Sequence, residues 1–263
     1  VTTSTAQLAT TIRRRVLDLS YRAHVGHIGS CLSIADILAV THGGGRFSFG
    51  QTGTAERDRF VLSKGHAGLA LYVALEQTGL LDSAVVDSFG QAGSPLGVHP
   101  EAHLPGVDFS TGSLGHGLGM AVGAALAARI QRSSRAVVVV MSDAELDAGS
   151  TWEAVNFAGH HRIEHLVVVV DLNGQQALGA TADIIDLEPF HVRWEVAGWE
   201  VREVDGHDHA ALLEAVEPSD RPVVVAARTT FGHGVSFMER SLDWHYLPLT
   251  REQYEAALDE VGG

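Results

Sequence analysis

The chain has 263 residues, 45% of them hydrophobic and 19% charged, which suits a globular α/β protein with ample buried core. Its formal net charge is −14, and an acidic surface repels phosphate backbones, so nucleic acid is not an expected partner. Cys31 is the single cysteine, which excludes an intrachain disulfide; with no signal-like start and no apolar run long enough to span a bilayer, the expectation is a cytoplasmic protein with no membrane partner.

Leu8, Ile12, Val16 and Leu19 recur at helical spacing and predict an amphipathic helix over 4–23. A Gly/His loop, VGHIGSC, follows at 25–31. LSIADILAVTH predicts a helix that stops at the breaker GGG, 43–45. RFVLS (59–63) reads as a short strand, and a helix starts near Gly65 and His66 and runs through ALYVALEQTG. Residues 90–113 read as a Gly/Pro-rich loop holding GVHPEAHLPG, and long loops inside compact domains are often functional. GHGLGMAVGAALAARI predicts a glycine-opened helix. AVVVVM (136–141) and HLVVVVD (165–171) lack alternation, which marks strands buried on both faces. A helix over about 150–161 separates them. WEVRE (199–203) and PVVVAAR (222–228) predict two further strands, with HAALLEAV as a helix between them and REQYEAALDEV as the last helix. The alternation predicts an α/β fold: one domain over 1–263, a mainly parallel sheet and helices on both faces.

A right-handed βαβ crossover makes the strands at 136–141 and 165–171 end at the same sheet edge. As neighbours they lie roughly 4.8 Å apart. Asp143 and Asn173 then stand just past the two strand ends, where ligands of open α/β sheets bind. Taken singly, Asp143 reads as a helix cap and Asn173-Gly174 as a turn. Taken together they point to one small hard ion, Mg²⁺ or Ca²⁺, whose remaining positions go to phosphate oxygens. A cofactor bearing a diphosphate is the expected partner of such an ion.

SDAELDAGSTWEAVNFAGHHRIEHLVVVVDLNG resembles the thiamine diphosphate motif in its transketolase form: a Gly-Asp-Gly strand end, then about thirty residues, then Asn. VGHIGS (25–30), DRFVLSKGHAGLALY (58–72), VHPE (98–101), TGSLGHGLGMAVG (111–123), VDGHD (204–208) and FGHGVSFM (231–238) are each similar to transketolase segments, in the family's order. The resemblance covers nearly the whole chain but only the N-terminal, diphosphate-binding half of a full transketolase. It implies a separate companion subunit carrying the pyrimidine-binding domain and its activating glutamate, an active site between subunits, and assembly into a heterotetramer. TREQYEAALDEV resembles the natural end of split transketolases, so the expectation is a complete small subunit.

The resemblance also implies roles. Asp143, Asn173 and the carbonyl of Gln175 are expected to ligate the metal. His66, Leu114, the backbone around Gly115, and Ser142, Asp143, Ala144, Glu145 and Asn173 are expected around the cofactor. His27, His66, His99 and His245 match family histidines that ring the reactive carbon and the donor sugar. Histidine suits that task because it exchanges protons near neutrality, and neutral imidazoles also donate to a developing oxyanion. The implied reaction moves a two-carbon ketol unit from a ketose donor to an aldehyde acceptor, with sugars or sugar phosphates as substrates. His116 is expected behind the site, His207 as a turn residue, and His160, His161, His165, His191 and His209 on the surface. Cys31, Trp152 and Trp194 are expected to pack.

Three positions depart from the family's pattern. Ser142 and Ala144 replace both glycines of Gly-Asp-Gly, and Ala148 replaces a glutamate used at the family's subunit interface. They predict weaker cofactor binding or unusual chemistry. Three other readings stay open: a transketolase-like ketol or acyl transferase of specialised metabolism, a 2-oxo acid dehydrogenase-type α subunit, and a non-catalytic scaffold.

Overall fold

A computed structural model of the chain describes residues 4–50 and 56–262. Helix α1 (Thr5–Ala23) opens on Ser4, whose hydroxyl accepts from the Gln7 N–H while the Gln7 side chain accepts from the Ser4 N–H. This reciprocal cap satisfies two donors that a helix start leaves free. The apolar stripe of Leu8, Ile12, Val16 and Leu19 is buried.

The segment expected as a loop over 25–31 is a loop only as far as His27. Helix α2 (Ile28–Ser33) starts there and α3 (Ala35–Gly43) follows. Gly29 and Ser30 are weak helix formers in isolation. Packing decides instead: all of α2 is buried, and Gly29 lies against Phe231, whose ring a Cβ at that position would meet at 2.1 Å.

Strand β1 (Arg59–Leu62) leads through a 3₁₀ turn, Gly65–Ala67, into α4 (Gly68–Gln77). A short helix, α5 (Ser83–Asp87), is capped by the Asp82 carboxylate; no apolar period announces it. The expected long loop follows and ends at α6 (Gly117–Ile130). Then come β2 (Val137–Ser142), a 3₁₀ turn Asp143–Asp147, α7 (Gly149–His160) and β3 (Leu166–Leu172). Four small elements that sequence periodicity does not reveal come next: β4 (Gln175–Gln176), β5 (Gly179–Ala180), α8 (Thr181–Ile184) and α9 (Phe190–Val196). Each is too short to show a period, and α9 is held by just two buried side chains, Phe190 and Trp194. The expected β6 (Glu200–Asp205), α10 (His209–Ala215), β7 (Val223–Arg228) and α11 (Arg251–Gly262) complete the chain, with a 3₁₀ turn at Leu242–His245.

Strands β1, β2, β3, β7 and β6 form, in that order, one parallel sheet. Val138, Val140, Val167 and Val169 face the layer of α1 to α4, whereas Val137, Val139, Val168 and Val170 face α6, α7 and α9. Both faces are covered, so neither strand alternates. Burying each valine contributes about 1.5–3 kcal/mol, which holds β2 and β3 at the centre. They pair directly, with Ser142 opposite Asp171. The loops bearing Asp143 and Asn173 therefore leave one sheet edge side by side. No helix among the described residues is long and apolar enough to cross a membrane.

Candidate active site

The carboxyl ends of β1, β2 and β3 open onto a cavity of about 540 Å³. All four expected histidines, His27, His66, His99 and His245, line it, together with Leu114, Ser142, Ala144, Asn173 and Gln175. They come from four separate parts of the chain. His27 is the N-cap of α2 in the left-handed conformation (φ 63), and its N–H donates to the His245 carbonyl at 3.3 Å. His66 sits in the turn after β1 and bonds the Ser30 hydroxyl through Nε2 at 2.8 Å. His245 ends the 3₁₀ turn that follows β7, and His99 belongs to the long loop.

Three of the rings form a triangle, with centroids 5.4 Å apart for His27 and His66, 5.3 Å for His27 and His245, and 5.6 Å for His66 and His245. Burial lowers the pKa of each, and the charge of Lys64 lowers all three further. Burial, then His245, His99 and Lys64, push His27 down to about 4. The triangle is therefore neutral at pH 7. Each ring then has one N–H and one lone pair, which is what a group needs to pass protons to and from hydroxyls.

At the acidic end the picture is more divided. Asn173 and Gln175 face the large cavity, whereas Asp143 lines an adjoining cavity of about 220 Å³. One Asp143 oxygen accepts from the Gly174 N–H at 2.8 Å and the other from the Ala144 N–H at 2.9 Å. The first bond ties the two strand-end loops together, so Asp143 and the Asn173-Gly174 turn meet as expected. Asn173 Oδ1 accepts from the Gln175 N–H at 2.9 Å.

Two residues expected around the cofactor, Glu145 and Gly115, do not line this cavity. Glu145 is fully buried and accepts from the Ser63 hydroxyl and, at 3.0 Å each, from the N–H groups of Gly115 and Ser142. It braces three loops beneath the cavity and does not line it. The Gly115 backbone is likewise committed: its N–H goes to Glu145 and its carbonyl accepts from Ser150 Oγ at 2.9 Å. A local pattern does not separate a residue facing the cavity from one holding the loop that lines it. Ser142 and Ala144 do line the cavity, yet neither has a left-handed backbone; φ at Ser142 is −91°. Glycine is thus not required at either position by conformation.

The residues that sequence reasoning missed are Lys64 and Asp171. Both are fully buried and form an ion pair. Asp171 also accepts from Ser33 Oγ at 2.8 Å, Asn173 Nδ2 at 2.8 Å and the Thr229 hydroxyl. One carboxylate so ties α2, the turn after β1, Asn173 and the end of β7 into one unit. A lysine inside an otherwise apolar strand-to-helix junction, RFVLSKGHAGLAL, is the signal that could have found it, since unpaired lysine is almost never fully buried.

Asp143, Glu145 and Asp171 are three buried carboxylates facing one buried cation, Lys64. Burial and the charge of Asp171 push Asp143 up to about 7. Surplus buried negative charge beside amide and carbonyl oxygens is a donor set that fits a hard divalent cation. Of the residues expected to pack, Cys31 is buried, and the Trp152 ring packs on Trp194, which also packs on Trp199. His207 is more than a turn residue, because it bonds Asp36 from α3.

The family described as "Transketolase, thiamine diphosphate binding domain" matches residues 4–262. The chain is 37% identical over 258 residues to one of the subunits of the apulose-4-phosphate transketolase of Phocaeicola vulgatus, covering 95% of this chain and 90% of that protein. It is 38% identical over 259 residues to the 6-deoxy-6-sulfo-D-fructose transketolase subunit SqwG of a Clostridium species, covering 96% and 94%. Among solved structures, the transketolase of Campylobacter jejuni superposes with a TM-score of 0.92 at 30% identity, covering 98% of this chain and 42% of that one. The chain spans less than half the length of the solved transketolases it matches. On the family match and on these identities, the chain belongs to the transketolase family, as its thiamine diphosphate-binding domain.

Proposed function

We propose that this chain, working as one domain, is the diphosphate- and metal-holding subunit of a two-chain transketolase that moves a two-carbon ketol unit from a ketose donor to an aldehyde acceptor. The observation that carries this reading is the meeting of the neutral histidine triangle with the Asp143 and Asn173 loops at one sheet edge. Asp143, Asn173 and the Gln175 carbonyl would hold Mg²⁺ or Ca²⁺, and Leu114, Ser142 and Ala144 would pack around thiamine diphosphate. Bound there, the cofactor supplies the electron sink for breaking and remaking a bond beside a carbonyl. His27, His66 and His245 hold and accept hydroxyl protons of the sugar, and Ser30 orients His66. His99 closes the cavity from the long loop.

The companion subunit would supply the pyrimidine-binding half and its glutamate, with two copies of each chain in a cytoplasmic heterotetramer. The names of the two relatives point to ketose substrates with an anionic end. No lysine or arginine is among the residues lining the cavity in the described chain, so the companion would meet a phosphate or sulfonate.

The test is calorimetry and ketol transfer on the assembled pair. Tight thiamine diphosphate binding that needs Mg²⁺, lost at least tenfold in Asp143→Ala and in Asn173→Ala, supports the reading. Transfer that survives both substitutions unchanged leaves only a scaffold, and pyruvate decarboxylation in place of ketol transfer would establish the 2-oxo acid dehydrogenase reading.

A further inference from the structure

Outside the cavity, one cluster of titratable side chains joins five segments. Asp36, on α3, is buried and receives the Arg13 guanidinium from α1, His207 Nδ1 at 2.6 Å and His209 Nε2 at 3.0 Å. The other ring nitrogen of His207, Nε2, accepts from the Thr230 backbone N–H at 2.9 Å. His233 stacks on His207 with ring centroids 3.5 Å apart, and Glu239 stands 3.5 Å from His233 Nδ1.

Two facts argue against a metal here, although Asp36, His207 and His233 lie close enough to hold one. Both nitrogens of His207 are already engaged, and the Arg13 cation occupies Asp36. The hydrogen bonds dictate one state instead. The Thr230 N–H can only donate, so Nε2 must be bare and Nδ1 must carry the proton given to Asp36.

The segment that His207 pins runs straight to the cavity. Thr229 bonds Asp171, Thr230 bonds His207, and Phe231 is fully buried. The Phe231 ring stacks on His245 at 5.7 Å with an interplanar angle of 13°. It also fills the space over Gly29, next to Ser30, which bonds His66. The Gly232 N–H closes the contact on the Gly29 carbonyl at 3.0 Å. Phe231 is thus the packing surface beneath one corner of the histidine triangle and beside the helix that bears the other two contacts.

We infer that His207 is a positioning residue for the proposed reaction: by holding Thr230 it sets the Phe231 ring, and through it the place of His245 in the cavity. The inference rests on the transketolase reading for its effect on rate, but not for its effect on structure. Two substitutions divide the two hydrogen bonds. His207→Gln presents an oxygen where Nε2 stood and keeps an acceptor for Thr230. His207→Asn presents its amide near Nδ1, keeps Asp36 and loses Thr230.

The experiment measures Thr230 amide exchange and the His245 ring ¹⁵N signals in the full chain, and kcat and KM of the assembled pair. In His207→Asn, Thr230 exchange is expected to rise at least tenfold, the His245 signals to move, and kcat to fall about tenfold with cofactor affinity changed less than twofold. His207→Gln is expected to stay within threefold of the parent in every readout. Equal loss in both variants, or unmoved His245 signals in a folded His207→Asn, overturns the inference. Should the asparagine variant not fold, the parent alone decides: a proton gained at Nε2 removes the acceptor, so as pH falls the His245 signals must move together with those of His207, in a cluster whose other titratable or charged groups are Asp36, Arg13, Asp205, His209, Arg228, His233, Glu239 and Arg240. His245 signals that ignore it overturn the inference, as does a divalent ion bound at the cluster and released by EDTA. A parent pair with no ketol transfer would sink the functional reading and leave the ring-signal result standing.

Discussion

Lys64→Met tests the buried pair on which the site's geometry depends. Lys64 and Asp171 have 0% side-chain exposure, so neither charge is screened by water. Methionine fills most of the space of the lysine stem, which keeps the packing loss small. What remains is an Asp171 carboxylate held by Ser33, Asn173 and Thr229 with no cation beside it. Removing one member of a buried pair typically costs about 3–5 kcal/mol, because the other charge is left uncompensated. At ~2–4 °C per kcal/mol for a chain of about this size, the melting temperature should fall by about 6–20 °C. Differential scanning calorimetry of the full chain measures this. Lys64→Met combined with Asp171→Asn removes both charges and should recover part of the loss. Lys64 also lowers the pKa of His66, so ring ¹⁵N titration should show His66 protonating at higher pH in the single variant. A fall below about 3 °C, or a double variant no better than the single one, would refute the reasoning, since either result means that the pair is not what Asp171 needs.

Gly29→Ala should destabilise by about 1–3 kcal/mol and shift His245, because the new methyl lies 2.1 Å from the Phe231 ring and overpacked cores pay through displaced side chains; urea unfolding with ring NMR checks both. The pH dependence of stability follows from His27, whose folded pKa of about 4 lies below its ordinary 6.5. Its stabilising contribution is complete above about pH 6.5 and is lost as pH falls towards 4, where the unfolded chain binds a proton that the folded chain does not. The denaturation midpoint of His27→Asn should therefore fall less steeply between pH 7 and 4.5 than that of the parent, and parallel curves would count against the shift. Ala144→Gly should tighten thiamine diphosphate binding by the assembled pair about fivefold, roughly 1 kcal/mol. The methyl lines the cavity while the backbone there is not left-handed, so room and not strain is the expected gain; unchanged affinity by calorimetry would show the methyl to be harmless.

Much of this site was legible in one dimension. Valine runs without alternation define strands covered on both faces, and a single helix between two of them makes those strands parallel; that they are direct neighbours is seen in the fold. Their pairing brings Asp143 beside the Asn173-Gly174 turn, whereas His27, His66, His99 and His245 came as one set only from the resemblance to the transketolase family. Strand burial and direction are readings of period and order, which local chemistry and chirality control. Orientation was another matter. Glu145 looks as available as Asp143 in the sequence, yet it turns inward to Ser63, Gly115 and Ser142, while Lys64 vanishes into the core to meet a carboxylate 107 residues away. The short elements between β3 and β6 and the relay from Asp36 through His207 to Phe231 were equally hidden. Such features are decided by which distant atoms satisfy a buried charge or fill a gap, and no residue carries that information until the chain has folded around it.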